Sequence, residues 1–331
     1  MKTVKFENKR ISLTEKPVPK PMEGEVLIKV LMAGICATDI EILNGYAGFS
    51  GTPGHEFAGI VVEAPGCPEL EGRRVTADIN CGCGKCEWCK CGDSRHCRER
   101  TVIGIRGRNG AFAQYLSAPL KNIHIIPESV ENFRAIFAEP LAAALEITQQ
   151  IHIKNSDRIA VLGDGKMGLL AALALRHHCG RLVLAGRHPE KLAIASNKGI
   201  DTAQINRSDS EETATQRLGL FDIVIEATGS PHGINSALCL VRPEGTVIAK
   251  TTSRSLSRID MSAIVVNEIH ILGSRCGDID LALRYLENRW VDVAPLVEKI
   301  YPFSGFTQAF KHARRRGSLK VILDMDGSWP A

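Results

Sequence analysis

The stretch RIAVLGDGKMGLLAALAL, residues 158–175, constrains the fold of this chain more than any other. An apolar run of strand length ends in Gly163, Gly165 and Gly168, spaced G-x-G-x-x-G, and an apolar helical pattern follows at once. The first glycine makes the turn, the second admits a pyrophosphate, and the third lets helix pack on strand. The helix N-terminus behind the turn offers free N–H groups and the positive end of a dipole, so the backbone of Lys166 and Met167 is expected to face the phosphates. Strand and helix then alternate: RLVLAG, a helix from Pro189, FDIVIEATG, another helix, GTVIAKTT and EIHILGS. A five-strand run of this kind predicts an α/β, doubly wound parallel sheet of Rossmann type over residues 129–289, its first helix running from Lys166 to about Cys179.

Residues 1 to about 125 differ in character. Short strands, VLIKVLMAGI, EFAGIVVEA, RRVTADI and AFAQYLSA, are broken by Gly and Pro and predict a β-rich domain over 1–128. Strand signals return in VEKIYPF and LKVILDM, so the chain is expected to complete that domain with residues 290–331. A length of 331 residues suits two domains. No segment approaches the roughly 18 apolar residues of a membrane span, and MKTVKFENKRISL carries no secretory apolar region. We therefore expect a cytoplasmic chain with no membrane partner. Net charge is only +4, and the one dense basic run, KHARRRG, interleaves no aromatic residues; it reads as a solvated helix face, with no nucleic acid as partner.

Six cysteines crowd into DINCGCGKCEWCKCGDSRHC, between Cys81 and Cys97. Disulfide scaffolds are short secreted chains, so here the cluster points to metal. Cys83, Cys86, Cys89 and Cys97 give C-x2-C-x2-C-x7-C, in which four thiolates can surround one zinc tetrahedrally. A closed four-sulfur site is structural. An iron–sulfur cluster or no metal is the alternative. Cys81 and Cys91 fall outside the spacing and read as bystander thiols. A zinc ribbon for nucleic acid would want stacking residues nearby, and GDSRHCRERT supplies none.

Upstream, GICATDI and GTPGHEFAG hold Cys36, His55 and Glu56. A thiolate, an imidazole and a carboxylate can hold zinc while leaving a fourth position open, which makes a Lewis acid. Glu139, in FAEPLAAALE, is a further carboxylate able to complete or relay the ligand sphere. Taken singly, Cys36 reads as a core thiol and His55 as a satisfied histidine.

In combination, GHEFAG, the cysteine loop, EPLAAALE and VLGDGKMG resemble the zinc-dependent medium-chain dehydrogenase/reductases, relatives of alcohol, sorbitol and threonine dehydrogenases, over nearly the whole chain. The resemblance implies a GroES-like catalytic domain joined to the Rossmann domain, and two Zn2+ per chain, one catalytic and one structural. It implies Cys36, His55 and Glu56 as ligands of the catalytic zinc, with Glu139 supplying the last ligand directly or through a water. Thr38 then passes the substrate proton, and Asp39 orients the histidine. Many relatives carry a histidine five residues after the cysteine ligand to end the proton relay; here that position is Glu41. Relatives assemble through the Rossmann domain, which implies a homodimer or homotetramer.

The adenosine end differs from a usual NAD site. After RLVLAG an acidic residue would normally bind the ribose 2′-hydroxyl, but here stand Gly186, Arg187 and His188. Loss of a carboxylate there removes repulsion toward a 2′-phosphate, and Arg187 adds a bidentate partner for it, so NADP(H) is expected over NAD(H). The alternative is that Arg187 points to solvent. Lys191 matches a position that contacts the ribose in the family, and Thr228 one on the nicotinamide side. The expected function is a zinc-dependent oxidoreductase that transfers hydride between an alcohol or polyol, or its ketone or aldehyde, and the nicotinamide, in a cleft between the domains. One alternative is an NAD-linked polyol or amino-alcohol dehydrogenase. Another is a non-catalytic zinc or redox sensor, favoured by Cys81 and Cys91 alone. Substrate choice falls to loops such as NGYAGFSG and GIRGRNG, where Arg106 and Arg108 mark either an anionic substrate or ordinary surface.

Overall fold

Two sheets of unlike construction form in the computed structural model, which describes residues 1–7, 10–45, 48–206, 217–252, 255–327 and 329. The chain divides into two compact units, Met1–Glu139 with Ile279–Ala331, and Pro140–Asp278. The first begins with β1 (Lys2–Glu7) and β2 (Arg10–Glu15), which pair antiparallel. Then come β3 (Glu25–Ile35), α1 (Ala37–Leu43), β4 (Glu56–Glu63), β5 (Arg74–Ala77), β6 (Asn80–Cys81) and α2 (Glu87–Lys90). β7 (Thr101–Ile103), β8 (Gly107–Arg108), β9 (Tyr115–Pro119), β10 (Ile123–Ile125), α3 (Asn132–Ala135) and the start of α4 (Ala138–Gln150) follow.

The second unit contains β11 (Arg158–Leu162), α5 (Lys166–Leu175), β12 (Arg181–Gly186), α6 (Pro189–Ser196) and β13 (Asp201–Gln204). It continues through β14 (Phe221–Glu226), α7 (Gly233–Leu240), β15 (Val241–Ala249), α8 (Met261–Val266) and β16 (His270–Gly273). The first unit resumes with α9 (Ile279–Glu287), β17 (Val297–Pro302), α10 (Phe306–Ala313) and β18 (Lys320–Asp324).

In the first unit a seven-stranded sheet runs β10-β5-β4-β3-β18-β17, with β9 also on β3. The central strand β3 is buried almost throughout because β4 lines its length while β9 pairs its first half and β18 its second. Phe57, Phe112 and Phe310 are the largest side chains of its core, and Phe112 meets Phe310 edge-on at 5.4 Å. The second unit is a six-stranded parallel sheet in the order β13-β12-β11-β14-β15-β16. Its inner strands hold continuous apolar runs such as Ile159–Leu162, as helix-covered parallel strands require. α5 is buried from Gly168 to Leu175, the mark of a helix that is apolar all round. Among the described residues no helix is long and apolar enough to cross a membrane.

Several expectations need adjustment. The sheet has six strands where five were read, because β13, DTAQ, has a polar and exposed edge sequence. The first helix stops at Leu175, short of Cys179: residues beyond it turn back, with the N–H of His178 on the carbonyl of Leu175. AFAQYLSA enters the ladder only at Tyr115; Phe112 instead accepts the N–H of Val4. The units divide after Glu139 and Asp278 rather than after 128 and 289. Arg74 of β5 explains the first shift, since its guanidinium donates to the carbonyls of Pro127 (2.8 Å) and Val130 (2.8 Å) and to Asn132 Oδ1 (3.0 Å). α9 packs on α3, and His124 Nδ1 lies 2.6 Å from Asp280 Oδ1, which ties the second boundary to the same unit.

Candidate active site

Two neighbouring strands bring the expected ligands together. β3 ends at Ile35, and Cys36, in extended backbone, stands at the N-terminus of α1. His55 and Glu56 open β4, where Glu56 pairs with Gly34. One ligand atom each from Cys36, His55 and Glu56 lies within 4.8 Å of the others. Asp39, fully buried, fixes this geometry: its Oδ2 accepts the N–H of Cys36 at 2.8 Å, and its Oδ1 accepts that of Gly54 at 3.2 Å and sits 3.3 Å from His55 Nδ1. Burial opposes a charge on His55, but Asp39 and Cys36 outweigh it and raise the ring well above its ordinary range.

The sequence did not point to Lys320. At the start of β18 its ammonium makes a buried ion pair with Glu56 Oε2, and its charge lies 5.5 Å from the Phe137 ring. Burial lowers the affinity of Lys320 for its proton, and Glu56, Cys36 and Glu139 more than restore it, so its pKa rises. A side chain on Gly34 would meet this pair, with Cβ 2.6 Å from Glu56 Oε2 and 3.2 Å from Lys320 Cδ. A lysine in a wholly buried strand was the available signal, since a buried charge needs a partner.

Glu139 is not one of the three clustered ligands. It keeps some solvent contact at the start of α4. Desolvation nevertheless pushes its carboxyl up to about 7, His55 and Lys320 pulling it down and Glu56 and Asp78 adding to the rise. Thr38 Oγ1 lies 3.8 Å from Cys36 Sγ. Glu41 accepts from the Asn44 amide at 3.3 Å. Of the specificity loop, Tyr46 and Ala47 lie outside the described residues. Arg106 is exposed, and Arg108 is held by Glu25 at 2.7 Å and Thr101 at 3.1 Å, so it serves the fold of this unit.

One atom tests whether a metal fits. Glu56 Oε1 is buried without a hydrogen-bond partner, while His55 Nδ1 is turned toward Asp39 and away from the ligand role. A soft, an imidazole and a carboxylate donor in one buried cluster suit zinc.

Cys83, Cys86, Cys89 and Cys97 form the second cluster, again within 4.8 Å. α2 carries Cys89, and Cys97 ends a tight turn, fully buried. The N–H of Cys83 points at Cys97 Sγ at 3.5 Å, and that hydrogen bond draws the Cys97 thiol down to about 7. Cys81 is apart from the four, its thiol pushed up to about 11 by burial, and Cys91 donates to the Glu87 carbonyl at 3.0 Å.

In the second unit the glycine turn has the expected form. A Cβ at Gly168 would fall 1.8 Å from the Gly163 carbonyl oxygen, and Gly163 itself has φ 109°. Gly165, at the N-terminus of α5, is different: a Cβ there would meet nothing within 4 Å, so the protein leaves this space free. That is where a pyrophosphate approaches the backbone of Lys166 and Met167. Lys191 is buried in the first turn of α6. The Thr228 hydroxyl donates to Glu226 Oε1 at 2.6 Å, and Thr251 donates to the same oxygen at 2.9 Å, so Glu226 fixes the turn after β14. Gly186 ends β12, with Arg187 and His188 next, but Asp164 fills the space beside Gly186 and accepts the N–H groups of both following residues at 2.6 and 2.7 Å. The sequence reading missed Asp164 and Glu226.

Comparison with known proteins agrees with this construction. The chain matches the alcohol dehydrogenase GroES-like domain over residues 22–128 and the zinc-binding dehydrogenase family over 167–299. It is 32% identical to an L-threonine 3-dehydrogenase of Streptomyces avermitilis, with 94% of this chain and 95% of that protein covered. A short chain alcohol dehydrogenase of Escherichia coli CFT073, complexed with NADH, superposes with a TM-score of 0.91 at 26% identity, covering 98% of this chain and 99% of that one. A zinc-binding dehydrogenase of Sinorhizobium meliloti bound to NADP gives 0.89 at 28% identity, with 98% and 99% covered. The chain belongs to the zinc-dependent medium-chain dehydrogenase/reductases and is an NAD(P)-binding oxidoreductase of the alcohol and polyol dehydrogenase type.

Proposed function

We propose that this protein interconverts an alcohol or polyol with its ketone or aldehyde, uses NADP(H) in preference to NAD(H), and holds two zinc ions. The observation that carries this is the Cys36, His55 and Glu56 cluster, in which Glu56 Oε1 is buried and unpartnered. Cys36, His55 and Glu56 would hold the catalytic ion, with Glu139 as the further carboxylate, and Cys83, Cys86, Cys89 and Cys97 the structural one. When bound, zinc supplies Lewis acidity toward the substrate oxygen and the nicotinamide accepts or returns a hydride. Asp39 keeps His55 oriented through Nδ1, which leaves Nε2 as the donor. Thr38 Oγ1, beside Cys36, would accept the substrate hydroxyl proton while handing its own on toward solvent, as the carbinol carbon gives up hydride to the nicotinamide. Glu41, five residues beyond Cys36, would be the outer proton acceptor.

In the nucleotide site, Gly165 leaves room for the pyrophosphate, and Arg187, next after the end of β12, would meet a 2′-phosphate. Lys191 and Thr228 would contact the ribose and the nicotinamide side. The sensor alternative loses one of its two supports, because a sensing thiol needs a lowered pKa and burial pushes that of Cys81 up. The deciding experiment assays a panel of alcohols, polyols and ketones with each cofactor alongside zinc content. Turnover with two zinc ions per chain is expected; one labile ion and no turnover would overturn the proposal.

A further inference from the structure

The acid absent from the end of β12 is present in space, supplied from the glycine turn. Asp164 lies between Gly163 and Gly165, and a Cβ built on Gly186 would stand 2.5 Å from both its Cβ and its Oδ2. An acidic side chain at 186 and Asp164 therefore compete for one place. Asp164 Oδ2 accepts the N–H of Arg187 at 2.6 Å and of His188 at 2.7 Å, and His188 Nδ1 lies 2.9 Å from Oδ1. Burial opposes ionisation of Asp164, but the His188 N–H, its ring and the Arg187 N–H prevail and hold the carboxyl below the ordinary aspartate range.

An ionised carboxylate offers about four acceptor positions. Two N–H groups and, at 3.0 Å, the His188 ring nitrogen crowd Oδ2, whereas Oδ1 has that ring nitrogen as its partner, and 9% of the side chain stays exposed. Capacity for one more donor remains on the open edge. We propose that Asp164 is the ribose-selecting acid of this site: it accepts the adenosine 2′-hydroxyl in place of a strand-end acid and opposes a 2′-phosphate. The preference that Arg187 confers on the phosphorylated nucleotide is then partial, and NAD(H) stays usable. This rests on the nucleotide site proposed above.

The test is calorimetric binding of 5′-AMP and of adenosine 2′,5′-bisphosphate to the full chain, a readout independent of zinc and turnover. Asp164→Asn keeps an oxygen for the two N–H groups but removes the charge. It should shift the affinity ratio about tenfold toward the bisphosphate, a modest share of what a unit charge exerts a few ångströms away. Asp164→Ala with Gly186→Asp, which moves the acid to the strand end, should return the ratio to the wild-type side. An unchanged ratio in Asp164→Asn, equal weakening of both nucleotides, or no return in the double variant would overturn the assignment. The wild-type ratio answers separately for Arg187: tighter binding of 5′-AMP than of the bisphosphate would end the NADP(H) preference while leaving the effect of Asp164 measurable.

Discussion

Asp39 and His55 sit 3.3 Å apart at Oδ1 and Nδ1, and the same carboxylate also holds the N–H groups of Cys36 and Gly54. One buried side chain thus positions two ligand-bearing segments from different strands. Asp39→Asn keeps the shape and weakens all three contacts. Because partners of metal ligands typically govern affinity by about 10- to 100-fold, zinc at the Cys36 cluster should bind that much more weakly. Chelator competition measures it; unchanged affinity would remove Asp39 from the site.

Lys320 neutralises Glu56 inside the protein. Removing one partner of a buried pair strands the other charge, at a cost of about 3–5 kcal/mol. Lys320→Met should lower the urea stability of the zinc-stripped protein by about that much. Adding Glu56→Gln should recover most of the loss, because no charge is then stranded. Equal stability of the two variants would show that the pair is not what Lys320 contributes.

These two residues mark what could be read from the chain. The glycine turn was legible because its demands are local: Gly168 must let the Gly163 carbonyl approach, and the spacing alone says so. The cysteine loop was legible for the same reason, four donors within fifteen positions. Lys320 was not, since its partner lies 264 positions away and nothing in an apolar strand signals the register that joins them. Asp164 was hidden by proximity of another kind. It was a nameless position within the glycine motif, and only the fold sets its carboxylate beside Gly186.

The two cysteine roles should separate by mutation. Cys36→Ser is expected to abolish turnover with a melting temperature near wild type, because that cluster hangs on a sheet already built. Cys86→Ser should instead cost one zinc per chain and lower the melting temperature, since residues 83–97 carry only short helical turns and depend on the ion for order. Zinc analysis and calorimetry on both variants settle the matter; indistinguishable behaviour would end the division into working and structural ions.

Arg187→Ala removes the one guanidinium next to Gly186. KM for NADPH should rise about 10- to 100-fold, as loss of a charge-assisted bidentate contact implies, with KM for NADH little changed. Steady-state kinetics with both cofactors provide the check. A parallel rise in both constants would mean that Arg187 supports the loop and not the phosphate.

Exposed apolar residues of the second unit lead us to expect an oligomer. α8 exposes Met261, Val265 and Val266 (60, 69 and 78%), Leu256 before it is 95% exposed, and Ile271 of the edge strand β16 is 39% exposed. Among the described residues β16 pairs with β15 alone and forms one edge of the sheet. An apolar patch beside an open strand edge is costly in water and is commonly covered by another chain. Two copies meeting there would bury both liabilities at once. Light scattering should therefore give a mass that is a multiple of 36.0 kDa. Val265→Glu with Val266→Glu would place two charges per chain in that contact and should shift the population to monomer, while the parallel sheet keeps its circular dichroism. A wild-type monomer, or a double variant that assembles as before, would place the contact elsewhere.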